Sequence, residues 1–99
     1  IYACGGLVYD FEKKTLMRHG EPVELTALEC RLLEFFLNNR KVVLSRETLL
    51  ERIWDADERF VEERTLNVTI RRLRMKVEDK QPAYIKTVFG LGYKWEDGS

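Results

Sequence analysis

The chain is poor in the residues that staple, coordinate or break. Its 99 residues include only two cysteines, one histidine and two prolines. Cys4 and Cys30 are too few for a disulfide framework, which points to a reduced, cytoplasmic setting. The lone His19 excludes a His-rich metal site and sits in a turn, away from any nucleophile it could activate. No apolar run approaches the ~18 residues of a membrane span, and no signal-peptide pattern opens the chain. Gly90-Leu91-Gly92 lacks the third glycine and the following helix of a dinucleotide loop, and there is no P-loop. The carboxylates are scattered or lie on solvated faces. The expectation is a protein that is not an enzyme and holds no metal or cofactor.

What is present is enough for one small core. The sequence is 44% hydrophobic and 34% charged, a globular composition of single-domain length, so residues 1–99 are expected to form one domain. It begins at Ile1 rather than Met, as a piece of a longer protein would. The 17 basic and 17 acidic residues cancel, but unevenly: residues 1–63 carry −4 and residues 64–99 carry +4. From Arg64 to Lys76 there are five basic residues and no acid. One basic face on a neutral chain can bind a polyanion and be repelled elsewhere, which orients it.

Residues 1–25 read as four short strands, Ile1–Cys4, Leu7–Asp10, Thr15–Arg18 and Pro22–Leu25, separated by turn-forming residues. Thr26, with Glu29 three positions on, forms a capping box that opens a first helix. Leu28, Leu32, Phe35 and Phe36 share one side of it, and Cys30, Leu33 and Leu37 widen the apolar arc, so this is the core helix. Cys30 reads as packing. After an extended Val42–Leu44, Ser45 caps a second helix to about Trp54. The acidic run from Asp55 then reads as a solvated connector.

The third helix, about Glu62 to Glu78, places Leu66, Ile70, Leu73 and Val77 on one narrow stripe. Arg64, Val68, Arg71, Arg72 and Met75 lie opposite, flanked by Thr65, Thr69 and Arg74. Seventeen residues at ~1.5 Å each make a rod of about 25 Å, long enough for a DNA major groove. After Pro82, Tyr84–Val88 and Tyr93–Trp95 form a hairpin across Phe89-Gly90-Leu91-Gly92.

The fold class is therefore α+β: an N-terminal four-stranded antiparallel sheet (1–25), three helices (26–79) and a C-terminal β-hairpin (80–99), the order of a winged helix-turn-helix. The residues agree in detail. Pro22-Val23-Glu24-Leu25-Thr26-x-x-Glu29-x-x-Leu32-Leu33 and Ser45-Arg46-x-x-Leu49-Leu50-x-x-Ile53-Trp54 resemble the effector domain of OmpR/PhoB-type response regulators. So do Arg64-Thr65-Leu66-Asn67-Val68-Thr69-Ile70-Arg71-Arg72-Leu73-Arg74 and Ile85-Lys86-Thr87-Val88-Phe89-Gly90-Leu91-Gly92-Tyr93.

The resemblance implies sequence-specific binding of double-stranded DNA and regulation of transcription in a two-component phosphorelay. A receiver domain is implied upstream of this chain. It also implies a third helix in the major groove and a wing near the minor groove. Arg72 matches a base-reading position, with Val68 and Thr69 as neighbours of a base. Arg64, Thr65, Arg71 and Arg74 match phosphate contacts, Trp54 a phosphate contact through its indole, and Arg46, Thr87 and Tyr93 weaker backbone contacts. Residues 55–61 match a segment that touches RNA polymerase in some members. Such a domain is expected to be a monomer in isolation and to pair on tandem half-sites. Phe89 replaces an arginine that enters the minor groove in many relatives. Phe89 cannot supply that charge, so the minor-groove contact is expected to be weak, made by Lys86 or Lys94, or apolar in kind. An aromatic at the hairpin tip can wedge against sugars, but packing against the hairpin is the preferred expectation. The alternative reading is a protein-interaction module whose basic face meets an acidic partner.

Overall fold

The computed structural model describes residues 1–53, 63–77 and 84–97. Four strands, β1 (Tyr2–Cys4), β2 (Leu7–Asp10), β3 (Thr15–Arg18) and β4 (Glu21–Val23), form an antiparallel sheet in chain order. Helices α1 (Ala27–Asn38), α2 (Arg46–Ile53) and α3 (Glu63–Val77) follow, with the two-residue strand β5 (Leu44–Ser45) before α2. Strands β6 (Ile85–Val88) and β7 (Gly92–Trp95) form the C-terminal hairpin, and β5 pairs with β7 to give a second sheet in the order β5-β7-β6. This is the expected winged-helix architecture.

Local chemistry explains most boundaries. Strands β2 and β3 span the residues expected. β4 starts at Glu21 and ends at Val23, because its register runs Arg18↔Glu21 to Leu16↔Val23 and the chain then turns toward the α1 cap. Pro22, which has no N–H to give a ladder, sits on this edge strand, where none is needed. The Thr26 side chain accepts from the Glu29 N–H at 3.2 Å, and the Glu29 carboxylate accepts from the Thr26 N–H at 3.0 Å, completing the capping box. Ser45 Oγ accepts from the Thr48 N–H at 3.1 Å at the start of α2. The extended piece expected at Val42–Leu44 is Leu44–Ser45 instead. The Val42 N–H is turned back to the Asn39 carbonyl, and only Leu44 and Ser45 face a partner, Tyr93 and Gly92.

The core sits where α1, α3 and both sheets meet. Leu66, Ile70, Leu73 and Val77 are all buried, as the stripe on α3 required. The centre of the core is Trp95, with no exposed surface. Its ring stacks on Tyr84 at 5.1 Å, meets the edge of Tyr2 at 5.9 Å and lies 6.4 Å from Phe36. The indole N–H donates to the Tyr2 hydroxyl at 3.1 Å, which in turn donates to the Asp97 carboxylate at 2.7 Å. Burial, and then the bond to Asp97, raise the Tyr2 pKa far above the ordinary phenol range.

The second sheet depends on one glycine. Gly92 has φ +149°, and a Cβ there would stand 2.0 Å from the Leu44 carbonyl oxygen of β5. Gly90, at φ +74°, has nothing within 4 Å of the same position. Gly90→Ala should therefore cost about 1 kcal/mol, the strain of a positive φ alone. Gly92→Ala must also push two strands apart and should cost roughly 2–4 kcal/mol. Denaturant unfolding of the two variants measures the difference; equal midpoints would show that the β5–β7 approach can relax.

Candidate nucleic-acid interface

Helix α3 is held at three places and free along one face. At its C-terminus, Arg18 of β3 donates to the Met75 and Lys76 carbonyls at 3.0 and 3.1 Å, satisfying two of the groups a helix end leaves open. In the same last turn, the Lys76 ammonium pairs with the carboxylate of Glu29, a residue only 1% exposed. That carboxylate serves the α1 cap and α3 together. A buried carboxylate without such a partner would be costly, so the pair fixes the register of α3 against α1.

At the side of α3, two arginines tie it to the hairpin. Arg74 donates through Nε to the Ile85 carbonyl at 3.2 Å and through a terminal nitrogen to Thr87 Oγ1 at 2.7 Å. Arg46, the first residue of α2, donates to Glu63 at 2.7 Å, to the Tyr93 hydroxyl at 3.0 Å and to the Asn67 side chain. Both guanidinium groups lie against the Tyr93 ring, Arg46 at 5.9 Å and Arg74 at 5.5 Å from its centre. The hydrogen bond to Glu63 raises the Arg46 pKa above its ordinary value; burial opposes this and the Tyr93 hydroxyl adds to it.

The free face carries the expected cations. Arg64, Arg71 and Arg72 are exposed, Thr65 is half-buried, and Val68 is 39% exposed although apolar. Thr69 differs from its flanking residues: it is 5% exposed and its hydroxyl donates to the Thr65 carbonyl at 2.7 Å. It lines the wall of a cleft of about 460 Å³ between the start of α1 and α3, with Arg64, Val68 and Arg72 around it. Tyr93 is also buried, while Thr87 is exposed on the hairpin. Trp54 and residues 55–61 lie outside the described residues. The surface thus unites Arg46, Arg64, Arg71, Arg72, Arg74 and Thr87 on α2, α3 and β6.

Sequence reasoning missed Asn67 and Glu63 as partners of Arg46, and Arg18 and Glu29 as anchors of α3. It also misplaced Phe89. Packing against the hairpin was expected, but the ring is 95% exposed, because the Phe89-Gly90-Leu91 turn carries it away from both sheets.

Comparison with known proteins decides the family. Residues 20–95 match the family described as "Transcriptional regulatory protein, C terminal". This chain belongs to the OmpR/PhoB family of response-regulator effector domains. It is 40% identical over 90 residues to the transcriptional regulatory protein YcbL of Bacillus subtilis, covering 89% of this chain and 39% of that protein. The response regulator DrrB of Thermotoga maritima, an OmpR/PhoB homologue, superposes with a TM-score of 0.84 at 35% identity, over 96% of this chain and 43% of that one. The DNA-binding domain of CpxR from E. coli superposes with a TM-score of 0.80 at 25% identity, over 99% and 97% of the two chains. The chain spans about two fifths of the length of the curated relatives it matches.

In this effector domain Arg74 is both a surface cation and the link from α3 to the wing. Arg74→Lys keeps the charge but not the fork that reaches Ile85 and Thr87 together. It should lower stability by about 1 kcal/mol and speed amide exchange in β6 more than in β2. Exchange that rises equally in both strands would mean that Arg74 does not hold the wing.

Proposed function

We propose that this domain binds double-stranded DNA sequence-specifically, as the effector half of a two-component response regulator. In this reading α3 lies in the major groove and the β6–β7 wing approaches the adjacent minor groove. The observation that carries it is the acid-free face of α3, where Arg64, Arg71 and Arg72 project from the side opposite the buried stripe. The DNA-binding domain of CpxR, which has the same fold over nearly its whole length, supports the reading.

The roles divide by chemistry. Arg72 reads a base, since a guanidinium fork suits guanine O6 and N7, and Val68 meets a thymine methyl. Arg64, Thr65 and Arg71 contact phosphates and set the register without reading sequence. Arg46, Arg74, Thr87 and Tyr93 bring the wing and the start of α2 to the same backbone. Thr69 supports Thr65 rather than reaching for a base. The domain works in the cytoplasm, without catalysis, as a monomer that pairs on tandem half-sites; contact with RNA polymerase through residues 55–61 rests on the resemblance.

Selection from a randomised duplex pool at low salt tests the proposal, and a direct repeat of short half-sites is the expected outcome. On the selected duplex, Arg72→Ala should cost roughly 1–3 kcal/mol and relax preference at one base pair. An equal loss on every sequence would reduce Arg72 to a phosphate contact. No retention of any duplex would favour an acidic protein partner for this face.

A further inference from the structure

We propose that Phe89 is a wedge that enters the minor groove beside α3 and partly unstacks one base step, so that the domain reads the deformability of the duplex there. The inference rests on the DNA reading above and names a specificity element within it. Phe89 is the most exposed large apolar side chain among the described residues, at 95%, and Leu91 beside it is 62% exposed. An aromatic ring held in water on a structured turn has no folding role, because truncating it uncovers nothing.

The turn is built to hold that ring in place. The Leu91 N–H donates to the Val88 carbonyl at 3.0 Å, and Gly90 takes the positive φ that the reversal needs. The strand leading to it is fastened to α3 by the Arg74 bonds to Ile85 and Thr87. Phe89 lies two residues beyond Thr87, about 7 Å at ~3.3 Å per residue. A duplex seated on α3 therefore has the tip of the wing within reach of its next groove. The minor groove is ~6 Å wide, too narrow for a two-stranded ribbon but wide enough for one side chain at its tip.

The surroundings select the partner. Arg74 and exposed Lys86 lie along the wing, and Arg46 lines the hollow behind the tip together with one acid, Glu47. An apolar tip among cations is what a wedge needs, since the phosphates flanking an opened step must be neutralised. Two apolar side chains on one turn make a point rather than a face, which fits a groove better than a flat protein surface. Pyrimidine–purine steps open most easily, so the domain should prefer one at the wing position without any hydrogen bond to it.

The test uses the 99-residue chain, its Phe89→Ala variant and the duplex recovered by selection, with 2-aminopurine placed in turn at each step flanking the half-site. Its fluorescence rises when stacking is lost. Wild type should brighten the probe at one step. Phe89→Ala should bind about tenfold more weakly, keep the base preference set by α3, lose the brightening and lose the pyrimidine–purine preference. Thermal unfolding of the variant should match wild type. Unchanged affinity, or tight wild-type binding with no probe brightening, would overturn the wedge while leaving the DNA reading intact. A loss confined to cooperativity between two half-sites would overturn it in favour of contact with a second copy. Failure of wild type to bind any duplex would remove the DNA reading and the wedge together.

Discussion

Trp95 is the point on which the arrangement of the domain depends. Its ring touches Tyr2 of β1, Phe36 of α1 and Tyr84 just before β6, one residue from each part of the fold. A fully buried aromatic contributes its apolar area and, through edge and stacked pairs, about another 0.5–1.5 kcal/mol each. It also carries a polar N–H that must be satisfied, and the chain Trp95–Tyr2–Asp97 does so. This one side chain therefore sets where the N-terminal sheet stands relative to the wing. Since β7 ends at Trp95 and begins at Gly92, the same strand that anchors the core also fixes the wing against β5.

The wing is in turn bound to α3 by arginines that would otherwise be free surface charge. Arg74 and Arg46 share the Tyr93 ring, and each spends donors on protein acceptors. A surface arginine held in this way loses side-chain entropy before any ligand arrives, so less is lost when one does. Arg64, Arg71 and Arg72 make the opposite compromise: they are exposed, so their side-chain entropy is still to be lost when a polyanion binds. The face therefore combines a preorganised edge near the wing with an adaptable strip along α3.

Local and periodic features were legible in the sequence. The stripe Leu66, Ile70, Leu73 and Val77, the Thr26/Glu29 capping box and the hairpin glycines each follow from spacings of a few residues. Pairs that join distant segments were not. Arg18 lies 57 residues from Met75, and Glu29 lies 47 from Lys76, and no periodicity links such positions. Charge type alone could not reveal that Lys76 faces inward while Arg72 faces out, because a long side chain near a helix end can do either. Phe89 was misplaced for a related reason. A hydrophobic residue is expected to find cover, yet the direction of a side chain at a turn is decided by the backbone around Gly90 rather than by its own hydropathy.

The zero net charge is an outcome of this division rather than evidence against a polyanionic partner. Acids gather in the first 63 residues, and among the described residues two that touch the anchors of α3 are paired in place: Glu63 with Arg46 and Glu29 with Lys76. Local pairing thus offsets the repulsion these two acids would add, while Arg64, Arg71 and Arg72 on the outer face of α3 stay exposed. At physiological salt the screening length is ~8 Å, so a phosphate backbone senses the nearest side chains and little of the acidic half. A balanced chain can in this way keep a polyanion-binding face without general affinity for polyanions elsewhere on its surface.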